Sequence, residues 1–378
     1  MAPKKALCLP MNKIKAFIKG ETVFCIALAA AAVSCFFVPL DAAYIGYIDF
    51  RTLALLYCLM LVVGGLGKTG LYRFLAYELC HVSANVRMLG TALVGLCFVS
   101  SMLITNDVAL ITFVPFSVMV LGMADAEDAL IPVVVLQTVA ANLGSMLTPV
   151  GNPQNLYLYS YFGFGIADFL KISLPVWLLS AALLFLFCRR LKTQKLSIEL
   201  EKIWHLNKAP FRVYIPLFVL CLLVVFRVLP WQLMLAVTVA VLLFYDRELL
   251  KTADYVLLLT FVCFFVFSGN LARIDSISAL IRSVMAGREY LISVLTSQVI
   301  SNVPAAILLS GFTDNAKALL LGVDIGGLGT PVASLASLIS YKLYAHSKGA
   351  DGGRYMRAFF AVNFLLLVIL SLFAFLIL

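Results

Sequence analysis

The sequence predicts an all-α integral membrane protein of two inverted repeats, each with a re-entrant helical hairpin and a broken transmembrane helix. Three observations predict it. Hydrophobic residues make up 63% and charged residues 12% of the 378 residues, far outside the soluble globular norm. Apolar runs of the ~18–20 residues needed to cross a bilayer recur along the chain. Two polar interruptions also recur, in the same order, in both halves. Ser101–Ala109 (S-M-L-I-T-N-D-V-A) matches Ser297–Ala305 (S-Q-V-I-S-N-V-P-A), and Gly144–Pro149 matches Gly326–Pro331. Hydrocarbon gives backbone groups no partners, so an unwound segment survives there only against protein or a wet cavity. Matched interruptions in two halves mark a solute site between repeats.

The elements follow in order. A lysine-rich segment, 1–20, precedes the first unit, 21–188. That unit reads as spans near 21–40 and 52–67, a hairpin over 89–122, a broken span over 129–160 and a span over 167–188. The run 21–40 is read as a retained span and not as a cleaved signal, because the charged region before it is long for a signal peptide. Residues 189–229 form a basic linker and one connecting helix, 211–229. The second unit, 230–378, repeats the order: 231–245, 254–271, a hairpin over 289–312, a broken span over 316–345 and 356–378. Asp49-Phe50 and Asp254-Tyr255 open equivalent segments, which close at Gly64-Gly65 and Gly269-Asn270. The single connecting helix starts the second unit on the opposite face, so the copies are expected to be inverted.

Length decides the second hairpin. Pro304–Phe312 gives about 14 Å of helix, under half of the ~30 Å hydrocarbon core, so this segment must turn back near Ser301-Asn302-Val303. In the first copy Leu89–Ile104 is long enough to be ambiguous, and only its equivalence with the second favours re-entry.

The net charge of +9 is not a nucleic-acid signal. With the amino terminus inside, most of the 28 Lys and Arg residues fall in cytoplasmic segments, which is the bias that orients membrane proteins. The nine cysteines include no CxxC and sit mostly in apolar segments, as reduced buried thiols do. His81, His205 and His346 all fall in predicted cytoplasmic segments, which argues against a histidine metal site or proton relay. No cofactor is expected beyond a possible Na⁺.

The breaks carry the candidate chemistry. Asn106 and Asp107 are placed to cap a half-helix from Val108, and Asn302 one from Pro304. A half-helix start at mid-membrane presents amides and a positive dipole end to an anion, while unwound carbonyls suit a small cation. In Asn142–Asn155 the prolines 149 and 153 remove donors, so no helix passes unbroken. The residues expected to touch solute are Thr105, Asn106, Thr148, Pro149, Asn152, Asn155, Ser301, Asn302, Gly329 and Thr330. Those expected at a coupling ion are Asp107, Asn106, Gly144, Ser145, Asn302, Gly326 and Asp324. Intramembrane carboxylates are costly and read as functional; Asp107 is the better candidate, with Asp324 expected shallower and capping a helix.

Four strings resemble the ion transporter superfamily of divalent anion/sodium symporters, citrate transporters and arsenite permeases. They are T-N-D-V-A-L (from Thr105, with Pro115 following), A-N-L-G-S-M-L-T-P-V-G-N-P-Q-N (from Ala141), S-N-V-P-A (from Ser301) and G-G-L-G-T-P-V-A-S-L (from Gly326). The resemblance covers roughly residues 49–345. It implies a substrate site between hairpin tips and broken helices, elevator-type movement and often a homodimer. The tips of dicarboxylate symporters resemble Ser-Asn-Thr, whereas Asp107 and Val303 stand third here. That departure, with the short chain, resembles the compact anion permease branch.

The expected function is secondary active transport of a small anion or oxyanion, coupled to Na⁺ or H⁺, in the cell membrane with a cytoplasmic amino terminus. Cation/proton antiport with Asp107 as the shared site is the alternative. No GxxxxGK[ST] loop exists to supply ATP energy, and no catalytic pair at depth suggests an enzyme. A channel would ignore an imposed ion gradient.

Overall fold

The structure, a computed structural model, describes residues 21–70, 74, 78, 83–195, 209–347 and 349–378. The predicted segment 1–20, His81, His205 and the middle of the basic linker lie outside the described residues. Among these residues the regular elements are all helical, with one isolated bridge between Asn85 and Lys195. Among the described residues seven helices are long and apolar enough to cross a membrane. The chain is a multi-pass membrane protein.

In chain order the first half holds α1 (Thr22–Ser34), α2 (Ala43–Tyr47), α3 (Phe50–Lys68), α4 (Val86–Ile104), α5 (Asn106–Met123), α6 (Glu127–Ser145), α7 (Pro153–Tyr161) and α8 (Ile166–Cys188). The connecting helix is α9 (Phe211–Val225). The second half holds α10 (Trp231–Tyr245), a 3₁₀ turn (Leu249–Thr252), α11 (Tyr255–Arg273), α12 (Asp275–Met285), α13 (Glu289–Ile300), α14 (Asn302–Ser310), α15 (Ala316–Ile325), α16 (Leu335–Ala345) and α17 (Gly352–Ile377).

Local chemistry sets the ends of these helices. Asp49 caps α3 by accepting from the Thr52 amide at 3.0 Å, and Asp254 caps α11 by accepting from Leu257 at 2.8 Å. Both caps sit in the same backbone conformation, φ/ψ −80/85° and −77/83°, so the predicted equivalence of these segments extends to the hydrogen bond. Asn152 likewise caps α7 through the Asn155 amide. Helix α1 is shorter than the predicted span 21–40: it stops at Ser34, whose hydroxyl turns back onto the Ala31 carbonyl.

Packing pairs elements between the halves. Helix α1 lies on α11 as α10 lies on α3, and α5 lies on α16 as α14 lies on α7. Each broken helix also packs on its own hairpin, α6 on α4 and α5, α15 on α13 and α14. The hairpins differ in size. The arms α4 and α5, at 19 and 18 residues, measure about 28 and 27 Å as ideal helices. The arms α13 and α14, at 12 and 9 residues, measure only about 18 and 14 Å.

Candidate functional site

A single residue makes each hairpin turn. Thr105 joins α4 to α5 at φ 68°, ψ 152°, and Ser301 joins α13 to α14 at φ 75°, ψ 155°. Side chains rarely adopt this region, at a cost of ~1–3 kcal/mol per residue, so the surroundings must hold it. They do so identically. The Asn106 amide donates to the Gly151 carbonyl at 3.2 Å, and the Asn302 amide to the Ala333 carbonyl at 2.9 Å. The Thr148 hydroxyl donates to the Met102 carbonyl, and the Thr330 hydroxyl to the Gln298 carbonyl at 3.1 Å. Pro149 and Pro331 follow those threonines and bring no amide to satisfy. Gly144 and Gly326 let the hairpins in: a Cβ on Gly144 would lie 2.1 Å from the Phe98 carbonyl oxygen, and one on Gly326 2.9 Å from Ser297 Oγ.

The capping expectation is corrected here. The half-helices begin at Asn106 and Asn302, two residues before the expected starts, and neither tip has a side-chain cap. The positive φ falls on Thr105 and Ser301, which leaves Asn106 free to turn toward Asn142. Asn106 Nδ2 donates to Asn142 Oδ1 at 3.1 Å, and its own Oδ1 accepts only the neighbouring Asp107 amide.

Asn142 and Asp324 stand two residues before Gly144 and Gly326, and each reaches into the other half. Asn142 Oδ1 accepts from Ser334 Oγ at 2.9 Å, and its Nδ2 donates to Ser337 Oγ at 3.4 Å. Asp324 Oδ1 accepts from Gln154 Nε2 at 3.4 Å, with the amides of Asn155 and Asn152 beside it. In the matched strings Ser334 and Ser337 correspond to Asn152 and Asn155, so the contacts are mirrored. Asn142 also joins the tips: it holds Asn106 and Ser334, while the Ala333 carbonyl next to Ser334 accepts from the Asn302 amide and the Ser301 hydroxyl.

Asp324 is buried and its side chain caps no helix. It lies in the last turn of α15, 3% exposed, where the helix dipole disfavours a negative charge. Its Oδ2 has no hydrogen-bond partner, and neither has the buried Oδ1 of Asn155. Asn155 spends its Nδ2 on the carbonyls of Ser145, Met146 and Thr148 at 3.3–3.5 Å, and Asn152 spends its own on Ser145 Oγ at 3.1 Å.

Asp107 is half-buried and lines a cavity of ≈ 410 Å³ with Thr105, Val108, Asn152, Lys68 and Asp254. Its Oδ1 is also unpartnered. Lys68, on the same cavity, is engaged by Asp246 at 2.8 Å. Among the described residues neither Asp107 nor Asp324 has an ion pair, and no cluster of three His, Cys, Asp or Glu could hold a metal. Ser301 and Asn302, at 1% and 4% exposed, are sealed where Thr105 is open. Gly329, at φ +100°, packs against Gln298.

The structure thus gathers all the expected site residues around the two tips and breaks. Sequence reasoning missed Gln298, whose amide bonds Gly326, Leu328 and Thr330, and the cross-half partners Ser334 and Ser337. Extending the match of the two Thr-Pro strings by a few residues would have found the serines.

A family model described as Citrate transporter (CitMHS) matches residues 11–318. An uncharacterized transporter of Methanocaldococcus jannaschii is 34% identical over 315 residues, 81% of this chain and 83% of that protein. The Escherichia coli inner membrane protein YbiR is 28% identical over 336 residues, 86% of this chain and 88% of its own. The rice silicon efflux transporter LSI3 is 32% identical over 151 residues, 39% of this chain and 30% of that protein. Among solved structures, the YdaH transporter of Alcanivorax borkumensis superposes with a TM-score of 0.56 over 94% of this chain and 96% of that one, at 16% identity, a likeness of fold.

Proposed function

The chain belongs to the citrate transporter family and is a membrane transporter, and we propose that it is a secondary active carrier of a small anion or oxyanion, coupled to Na⁺ or H⁺. The observation that carries this reading is the matched pair of hairpin turns, each held on its own broken helix and joined to the other through Asn142. Half-helix starts offer amides and a positive end to an anion, while the unpartnered oxygens of Asp107, Asp324 and Asn155 offer a coupling cation hard donors. One charge moved across 100 mV is worth ~2.3 kcal/mol, enough to concentrate a solute tens-fold.

The third tip positions, Asp107 and Val303, argue against a multiply charged tricarboxylate. A carboxylate repels such a substrate and valine offers it no hydrogen bond. A less charged oxyanion fits better, and the partial likeness to a silicon efflux transporter is compatible with that.

The swapped packing of α1 with α11 and α10 with α3 supports units 21–188 and 230–378 as repeats, and the single connecting helix α9 within 189–229 would make them inverted, with the amino terminus cytoplasmic. Elevator movement of the hairpins and broken helices against α3, α9, α10 and α11, in a homodimer, completes the proposal. The test is uptake by purified protein in liposomes against an anion panel, with Na⁺ and pH gradients imposed separately. Accumulation of one anion class driven by one gradient is expected; turnover indifferent to both gradients defeats the reading.

A second reading, cation/proton antiport, is favoured by Asp107 and Asp254 facing one cavity. A proton flux with no anion dependence in the same liposomes would select it.

A further inference from the structure

Away from the tips, a groove of ≈ 400 Å³ opens at the seam where α6 and α8 of the first half meet α17 of the second. Its two ends differ in chemistry. One end collects Arg190 and Lys192, just past the end of α8, with Arg354 in the first turn of α17 and Asp128 in the first turn of α6. The other end, further along the same helices, is apolar: Val135, Leu136, Phe187, Ala358 and Val362.

The charges at the polar end do not cancel. Lys192 takes Asp128, the one carboxylate among the described lining residues, at 2.8 Å. Arg190 stacks its guanidinium 5.7 Å from the Phe187 ring, directly over the apolar part. Arg354 is near enough for its charge to act on Asp128 but forms no ion pair with it. Among the described residues three cations thus face one anion, and the two guanidiniums form no ion pair and keep free the donor forks that match phosphate.

From this we infer that the groove binds one anionic glycerophospholipid, its phosphate on Arg190 and Arg354 and an acyl chain along Val135, Ala358 and Val362. The helix ends place the cations at headgroup depth, and the apolar part runs toward the hydrocarbon. Basic pockets between transmembrane helices take anionic headgroups for this reason. A second copy of the chain fits less well, since a two-fold contact would press the same cations against themselves. The inference is independent of which solute is carried.

Native mass spectrometry of the full-length protein in detergent tests it, with phosphatidylglycerol, phosphatidylcholine of the same acyl chains, and water-soluble glycerol 3-phosphate as probes. One phosphatidylglycerol should be held per chain, at least tenfold more tightly than phosphatidylcholine, with no comparable binding of glycerol 3-phosphate. R190Q/R354Q changes only exposed side chains and should erase that preference. Ala358→Trp, which keeps every cation and fills the groove, should weaken both lipids. Equal binding of the two lipids, or wild-type binding by R190Q/R354Q, overturns the inference. Glycerol 3-phosphate binding as well as the lipid would make this a free-anion site instead. A dimer that falls apart only in Ala358→Trp would make the occupant a second copy.

Discussion

Asn142 and Asp324 occupy corresponding places in the two halves and do opposite things with them. Each sits two residues before the glycine that admits its hairpin, and each touches the polar residues that start the other half's second half-helix. Asn142 is satisfied by one tip and two serines. Asp324, in the same setting, accepts from Gln154 at 3.4 Å, keeps its other oxygen without a partner and lies beside Asn152 and Asn155 amides already engaged elsewhere. A neutral amide needs only hydrogen bonds; a buried carboxylate needs a positive partner or a proton. The scaffold is doubled, and the charge is not. The cradle thereby carries an unpartnered carboxylate oxygen at Asp324 that its counterpart lacks, in addition to the one at Asp107.

The largest effects should come from the tips. Asn106→Ala and Asn302→Ala should each lower transport in liposomes by tenfold or more, ~1.4 kcal/mol of barrier, with normal insertion. Full activity in either variant would break the equivalence of the halves.

Copying the charge comes next. Asn142→Asp puts a buried charge with hydrogen bonds but no ion pair beside Ser334 and Asn106 and should destabilise the protein by ~1–3 kcal/mol, the order of an uncompensated desolvation penalty, read as a lower thermal midpoint. An unchanged midpoint would mean that this position is wetter than its burial implies.

A smaller gain should follow relief of the turns. Thr105→Gly and Ser301→Gly remove ~1–3 kcal/mol of backbone strain against ~0.5–1 kcal/mol of added unfolded-state entropy. A slightly raised midpoint is expected in both; a fall in one would single out that hydroxyl as structural.

The least effect lies at a matched pair of ion bridges. Lys68 binds Asp246 at 2.8 Å with the Tyr214 hydroxyl, and Arg273 grips Asp41 at 2.7 and 3.0 Å with the Tyr47 hydroxyl. The Lys68 ammonium holds the Asp246 carboxyl below the usual carboxylate range, as the Arg273 guanidinium does for Asp41. Because the folded pKa is depressed, the contribution is complete above the unfolded value of ~3.9 and is lost as pH falls through the folded one. Lys68→Met should therefore cost at most ~1 kcal/mol, equally at pH 8 and pH 5, in thermal unfolding. A cost that disappears between those two pH values would contradict the assignment.

Much of this was legible in the sequence because polar residues and prolines inside apolar runs are strong signals. Thr105, Ser301, Thr148-Pro149 and Thr330-Pro331 announced the breaks, and Asp49 and Asp254 announced matching helix starts. The exact turn residues were not legible. Positive φ usually falls on glycine, and here it falls on Thr105 and Ser301, which moved the helix starts and freed Asn106 from capping. The burial of Asp324 was hidden for a different reason: its surroundings come from Asn152–Asn155 of the other half, which no local pattern reports. The groove at α6, α8 and α17 was equally out of reach, since Asp128, Arg190 and Arg354 meet only in three dimensions.

The most direct test is accumulative uptake by Asp324→Asn beside the wild type in liposomes, under an imposed Na⁺ or pH gradient and again by equilibrium exchange without one. If the unmatched carboxylate is where the coupling cation acts, the variant should fold, keep exchanging solute and lose gradient-driven accumulation. An Asp324→Asn protein that accumulates solute to the wild-type ratio would contradict the account.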